Sequence, residues 1–200
     1  MSSSTPPAKI AYNYIDSKKT KLGNKFAFWY HIIEDLYQQN FYHKKELYDN
    51  QVKKIGEFDT IEDFWALFQH LRKPDSCKQG IEFQLFKNNI NPIWEDENNK
   101  NGGKISIKLR KYFTTIIWEE MIFAFISNVL PKEIYDEING IVVSSKKDYN
   151  DLQIWIKNCG DKTMNNKFQM CIRDLLQIPS EVKLEFKPFF TNNKFNLVEI

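Results

Sequence analysis

Between Pro92 and Lys104 the chain reads PIWEDENNKNGGK, and its Trp94–Glu95 pair is the first place where residue types suggest chemistry. An indole normally buries a large apolar area, whereas carboxylates resist burial unless they are paired. Pro92 and the Gly102–Gly103 pair bracket the segment, with Asn and Lys between, so it reads as a loop. A large ring placed on a loop among carboxylates asks for a ligand. The residue types of catalysis and metal binding are dispersed by comparison. His31, His43 and His70 are scattered, and the sequence holds no His-x-His-x-His run, P-loop or clustered carboxylate motif. Cys77, Cys159 and Cys171 are odd in number and lack Cys-x-x-Cys or Cys/His spacing, which points to reduced thiols rather than to disulfides or zinc. Binding, not catalysis, is the expectation.

Bulk properties narrow the ligand. Two hundred residues, 42% of them hydrophobic, suffice for one domain with a substantial core. A net charge of +2 against 27% charged residues is no positive coat for gripping long nucleic acid, so an anionic ligand should be short and locally met. Aromatic residues reach 15%, and Trp29, Trp65, Trp94, Trp118 and Trp155 follow no repeat period, a compositional hint toward recognition by rings. MSSSTPPAK lacks the apolar run of a signal peptide and no segment approaches about 18 uninterrupted apolar residues, so a cytosolic setting is expected.

The elements that must position the loop follow from periodicity. Residues 1–21 read as a flexible tail, 22–190 as the domain and 191–200 as a second tail. Lys25–Ile32 is continuously apolar and aromatic and predicts a strand buried on both faces; the polar stretch after it, to Gln51, predicts a long loop. In FDTIEDFWALFQHLRKP, Thr60 and Asp63 give a capping-box-like start, Phe64, Leu67, Phe68 and Leu71 a buried stripe, and Pro74 a stop. Trp65 sits at the shoulder of that stripe. A second helix, Thr115–Leu130, lines one face with Trp118, Met121, Ile122, Phe125 and Val129 and turns Phe123 away toward Glu119. A third, Thr163–Leu176, buries Met164, Phe168, Cys171, Ile172 and Leu175. Further strands are expected at Ile81–Lys87, Gly103–Arg110, Gly140–Lys146, Asp151–Asn158 and Val182–Phe189. The economical architecture is α+β, with helices on one side of an antiparallel sheet and the other side free for a ligand.

Taken in order, FDTIEDFWALFQHL, LFKNNINPIWEDENNKNGGK, IIWEEMIFAFI, GIVVSSK followed by IWIKN, and LQIPSEVKLEFK resemble the eukaryotic translation initiation factor 4E family, over roughly Leu22 to Phe189. The resemblance implies a curved antiparallel sheet of about eight strands, three long helices on its convex face and a slot on the concave side for the 7-methylguanosine cap of mRNA. It implies a cytoplasmic monomer without cofactor or metal that links capped mRNA to a partner in translation initiation. A cap-competing repressor of the same family uses the same slot, and a methyl-lysine reader would use a similar aromatic cage.

By the same resemblance Trp94 is one wall of the base sandwich and Glu95 the guanine-reading carboxylate. The second wall falls ten residues before Phe58, at Tyr48, where Trp is common; Tyr42 or Phe41 substitutes if the loop register differs. Lys104 and Lys146 match basic positions for the cap phosphates where Arg is usual, and Asp148 and Asp151 stand where relatives often carry Lys, with Lys147 nearby to compensate. A second surface receives a scaffold or repressor helix of the form Tyr-x-x-x-x-Leu-apolar. Trp65 matches its Trp, with Ile61 beside it and Glu120 in the acidic position, while Phe123 and Glu119 replace aliphatic residues. The His-Pro that often precedes the first strand is absent, with Thr20-Lys21 in its place, so altered partner specificity is expected.

Overall fold

The computed structural model describes residues 19–33 and 52–189. The expected loop up to Gln51, with Tyr48, Tyr42 and Phe41, lies outside the described residues, as do residues 1–18 and 190–200. The aromatic run belongs to β1 (Lys21–Ile32), where Phe26 and Phe28 face one way and Ala27 and His31 the other, all four buried. Both faces of this strand are covered, as its composition predicts.

β1 pairs with β2 (Val52–Thr60) and β3 (Ile81–Lys87), and the sheet is completed by β4 (Gly103–Leu109), β5 (Ile138–Ser145), β6 (Asn150–Ile156) and β7 (Leu184–Pro188). The order is β2-β1-β3-β5-β6-β4-β7, with every neighbouring pair antiparallel. The architecture is α+β, an open curved sheet with its helices on one face. The described residues hold seven strands where about eight were expected. β2 escapes the sequence pattern because an edge strand has one unpaired side, and VKKIGEFDT carries charges there instead of clean alternation.

Four α-helices follow among the described residues. α1 (Ile61–Phe68) starts as anticipated, with Thr60 Oγ1 accepting from the Asp63 amide at 3.1 Å and donating to Asp63 Oδ2 at 2.8 Å. It is only two turns long, because the chain tightens through His70 and Leu71 amides bonded three residues back. α2 (Lys111–Ser127) begins four residues before the expected start. Tyr112, Phe113 and Ile116 point to solvent in its first turns, and exposed apolar residues blur an amphipathic signal. The helix ends where Asn128 adopts a left-handed conformation (φ 56°), which places Val129 beyond it; Val129 is exposed rather than part of the stripe. α3 (Lys132–Glu137) is a short helix after Pro131 that the pattern does not announce. α4 (Lys162–Leu176) is capped by Asp161, whose Oδ1 accepts from the Thr163 and Met164 amides, and buries Phe168 and Ile172. Two of the expected three long helices are therefore long, and α1 is not.

Most of the chain's aromatic wealth is core. Phe26 stacks with Phe58 (5.7 Å between centroids) and meets Phe125 edge-on (5.2 Å), and Phe64 stacks with Phe68 (5.0 Å), filling the space between β1, β2, α1 and α2. This ring-rich layer welds the helices to one face of the sheet, and the other, open face carries no helix among the described residues.

Candidate functional site

The β3–β4 connection carries Trp94 and Glu95, and its order comes from polar bonds within the loop. Asp96 accepts from the Asn91 amide with one carboxylate oxygen and from the Asn98 amide and side chain with the other, each at 2.9 Å. Asn99, fully buried, donates to the Asn91 and Ile93 carbonyls at 3.0 and 2.8 Å. Asn139 at the start of β5 donates to the Asn98 carbonyl and to Asn99 Oδ1, which ties the loop to the sheet. The acidic run is thus divided: Asp96 builds the loop, Glu97 pairs with Lys100, and Trp94 (36% exposed) and half-buried Glu95 are carried on it. The Gly pair marks a close approach. A Cβ on Gly102 would lie 2.0 Å from the Ile156 carbonyl oxygen and one on Gly103 2.5 Å from that of Lys187, so only glycine lets the chain re-enter the sheet between β6 and β7.

On the open face, register aligns side chains from five strands. His31, Glu82, Ser144, Asp151 and Lys108 form one row across β1, β3, β5, β6 and β4; Ala27, Phe86, Gly140, Trp155 and Lys104 form another. Lys104 Nζ donates to Gln153 Oε1 at 3.0 Å, and the Trp155 indole donates to the same oxygen at 3.3 Å. The Gln153 amide in turn donates to Asp151 Oδ2 at 2.9 Å, with Ser106 Oγ at 3.3 Å. Burial lowers the Lys104 pKa, with Asp151 and Glu82 pulling the other way, and burial raises that of Asp151. Lys146 Nζ lies 3.9 Å from Glu82 Oε1, and His31 Nδ1 lies 3.4 Å from Glu82 Oε2. Burial works against the Glu82 carboxylate, but hydrogen bonds and the Lys146 charge outweigh it and hold its pKa below the usual range. Asp151 is thus a member of the network under Lys104, whereas Lys147 and Asp148 are exposed at the β5–β6 turn.

Trp155 is the open-face residue that sequence reasoning left unassigned. Its ring meets Phe86 edge-on at 5.3 Å and Phe189 at 4.3 Å. Gly140 makes room for this cluster, since a Cβ there would lie 2.4 Å from the Phe86 ring. The signal was present: in DLQIWIKN the alternation sets Asp151, Gln153 and Trp155 opposite Leu152, Ile154 and Ile156.

A second assembly lies on the helix face. Trp65 is 47% exposed, meets the Phe64 ring edge-on at 5.1 Å and lies 5.8 Å from both Phe68 and Phe123. Ile61, one turn earlier on α1, and Phe123 on α2 are also exposed. Trp65, Phe68, Phe83, Trp118 and Glu119 help to line a cavity of 140 Å³. Glu120 lines the adjoining groove instead. The structure therefore brings Trp65, Ile61 and Phe123 to one patch and places Glu120 at its border. Among the described residues no group of three or more His, Cys, Asp or Glu is arranged to hold a metal ion. No helix there is long and apolar enough to cross a membrane.

A sequence profile of the family described as Eukaryotic initiation factor 4E matches residues 21–197. The chain is 31% identical over 145 residues to the Triticum aestivum protein named eukaryotic translation initiation factor NCBP, covering 72% of this chain and 62% of that protein. It is 31% identical over 166 residues to Dictyostelium discoideum eukaryotic translation initiation factor 4E, covering 82% and 63%. It thus spans under two-thirds of the length of these curated relatives. Among solved structures it is similar to Caenorhabditis elegans eIF4E-3 in complex with the 4E-binding protein Mextli and a cap analog, with TM-score 0.75 and 25% identity over 86% of this chain and 93% of that one.

Proposed function

The chain belongs to the eukaryotic initiation factor 4E family, and from that membership we propose that it binds the 7-methylguanosine cap of mRNA and links it to a partner protein in translation initiation. It is a binding protein, not an enzyme. The observation that carries the reading is the Trp94–Glu95 pair, held on a loop ordered by Asp96, Asn99 and Asn139 beside an open face that presents Lys104 and Lys146.

The chemistry matches the base. Methylation at N7 gives guanine a delocalised positive charge, which an indole face attracts by cation–π interaction in addition to stacking. The Watson–Crick edge offers N1–H and an amine, and one carboxylate accepts both in a bidentate pair. Adjacent side chains on a strand point to opposite faces, so a Trp and a Glu that serve one ligand must sit on a loop. Trp94 is one wall, Glu95 reads the edge, Tyr48 is the second wall, and Lys104 and Lys146 meet the phosphates. Lys offers a point charge without the planar fork of Arg, so the phosphate grip is looser and more hydrated.

On the helix face Trp65, Ile61, Phe123 and Glu120 receive a helix of the form Tyr-x-x-x-x-Leu-apolar from a scaffold or repressor. The 4E-binding protein in the complex of the C. elegans neighbour supports such a partner. The working unit is a cytoplasmic monomer of one domain over residues 22–190. Retention on immobilised 7-methyl-GTP, with elution by free 7-methyl-GTP and not by GTP, is the expected result. Passage through that resin, or equal elution by both nucleotides, overturns the reading.

A further inference from the structure

The edge of the open face along β4 and β7 carries charge that the cap site does not use. Leu184 is buried and Phe186 packs on the core, so alternation along β7 turns Lys183, Glu185 and Lys187 to the open face. On β4, Ile105, Ile107 and Leu109 face the core, which turns Lys104, Ser106 and Lys108 the same way. Register sets Lys187 opposite Lys104 and Glu185 opposite Ser106. Lys108 and Lys183 line one cleft of 310 Å³ together with Ser106 and Glu185.

The side chains of Lys183 and Lys187 are 80% and 53% exposed, and Lys108 is exposed as well. One carboxylate serves all three. Glu185 lies 3.5 Å from Lys183 Nζ and 2.6 Å from Lys187 Nζ. Its hydrogen bond to Lys187, with the charges of Lys187, Lys183 and Lys108, holds its carboxyl below the ordinary range. The other carboxylate nearby, Asp151, accepts from Gln153 and Ser106. Positive charge is therefore in surplus along this edge, although the chain as a whole is nearly balanced at +2. At its far end Tyr149 is 36% exposed, and Lys108 Nζ lies 5.4 Å from the centroid of its ring. Cations in a row beside an exposed ring suit a single nucleic-acid strand, whose phosphates meet the charges while a base stacks on the ring.

We propose that this edge holds the RNA chain that follows the cap, with Lys187, Lys183 and Lys108 meeting backbone phosphates and Tyr149 stacking one base. The proposal rests on the cap reading above and deepens it. Three observations select this occupant. Lys104, which meets the cap phosphates in that reading, has Lys187 as its cross-strand neighbour, so the track is continuous with the cap site. Gly103, where the Trp94 loop re-enters the sheet, pairs with Pro188, so the step from Lys187 to Lys183 leads away from the base slot. That step covers about 13 Å at 3.3 Å per residue. The open-face positions 104, 106, 108, 183, 185 and 187 hold only Lys, Ser and Glu, which gives a protein partner no apolar anchor.

Competition binding on the full chain tests this with two capped RNAs, a dinucleotide and an unstructured decanucleotide, titrated across salt. The decanucleotide should bind about tenfold more tightly at low salt, and its affinity should fall more steeply with log salt by about 2, as for three further phosphates. Lys183→Gln combined with Lys187→Gln, both at exposed positions, should remove most of the gain and cut the extra slope to about 0.7. The affinity for 7-methyl-GTP should stay as it was. Tyr149→Ala should lower the gain and leave the extra slope, since a stack carries no charge. Equal affinity for the two RNAs while 7-methyl-GTP binds, or a gain that survives the double substitution, overturns the track and spares the cap reading. Failure of 7-methyl-GTP to bind the wild type overturns the cap reading and this proposal with it. A decaglutamate peptide that binds more tightly than an uncapped decanucleotide, and loses that binding in the double variant, makes the occupant an acidic protein and likewise overturns the proposal.

Discussion

On the helix face, Phe28, Leu85, Ile141, Ile154 and Ile105 meet rings and aliphatic chains; on the open face, the same strands bury His31, Gln84, Ser144, Gln153 and Ser106. Both sets are withdrawn from water, and they do opposite things to stability. Apolar burial stabilises by about 25 cal/mol per Å², whereas a buried polar group costs free energy unless it is hydrogen-bonded. Among the described residues the Trp29 indole nitrogen and both polar atoms of the Gln84 amide have no hydrogen-bond partner. The same face also buries Ala27, Phe86, Val142 and Trp155, so its contribution to stability is mixed where that of the apolar helix face is not. The helix face holds the fold, and the open face is supported by it.

That contrast can be broken by two kinds of substitution. Phe64 is 1% exposed and touches the rings of Phe28, Phe58 and Phe68, so Phe64→Ala should cost about 3–5 kcal/mol of unfolding free energy in urea titration. Trp94→Ala and Glu95→Ala should instead weaken 7-methyl-GTP binding by about 2 kcal/mol or more each, read by fluorescence quenching, because one removes a stacking wall and the other leaves guanine donors unpaired. Unaltered affinity in both loop variants would remove the slot from this loop.

Trp65 tests whether the two faces are independent. Trp65→Ala should weaken a Tyr-x-x-x-x-Leu-apolar peptide by about 2 kcal/mol, as for an aromatic hot spot, and leave 7-methyl-GTP affinity as it was. An equal loss of cap binding would mean that the aromatic layer transmits the change through β1 to the open face, and the separation of faces would be wrong.

A smaller effect is expected at Tyr48, ten residues before Phe58. Tyr48→Ala should cost roughly 1–3 kcal/mol of cap binding, one base–aromatic stack, and Tyr48→Trp should gain on the order of 1 kcal/mol from a larger, more electron-rich face. If Tyr42→Ala weakens the cap and Tyr48→Ala does not, Tyr42 is the second wall.

What was legible in the sequence follows the same division. Strands and helices that pack show their periodicity, so β3 was bounded as Ile81–Lys87 and the Thr60 cap was named residue by residue. β2 and the first turns of α2 were missed because their exposed sides carry residues that do not fit the inside–outside alternation: charges on the edge strand and rings on the helix. In the loop, Trp94 and Glu95 stood out by type. The roles of Asp96, Asn99 and Asn139 were hidden, since a buried Asn announces itself only through partners that are distant in sequence, here 40 residues apart. Trp155 was passed over for another reason: in a strand, an indole on the ligand side and one on the core side read alike.

The smallest effects expected on the open face are those of its cations, and they sharpen the comparison most because Lys104 belongs to a buried network while Lys146 is more exposed. Lys104→Met and Lys146→Met should each weaken 7-methyl-GTP by roughly 0.5–1 kcal/mol and 7-methylguanosine by less, with a shallower dependence on salt. Lys104 should also show itself in the pH dependence. Burial holds the free Lys104 ammonium below its ordinary pKa, and a phosphate in contact with it favours the charged form and raises that pKa again. Binding then takes up a proton between the two values, so the advantage of 7-methyl-GTP over the nucleoside should fall as pH rises through the window below about 10.4. Taking the ratio of the two ligands cancels titration of the base. Lys104→Met should flatten that fall. If the nucleoside loses as much as the triphosphate in Lys104→Met, the lysine acts by holding Gln153 and Asp151 in place, and the open face is then a scaffold for the loop rather than a phosphate surface.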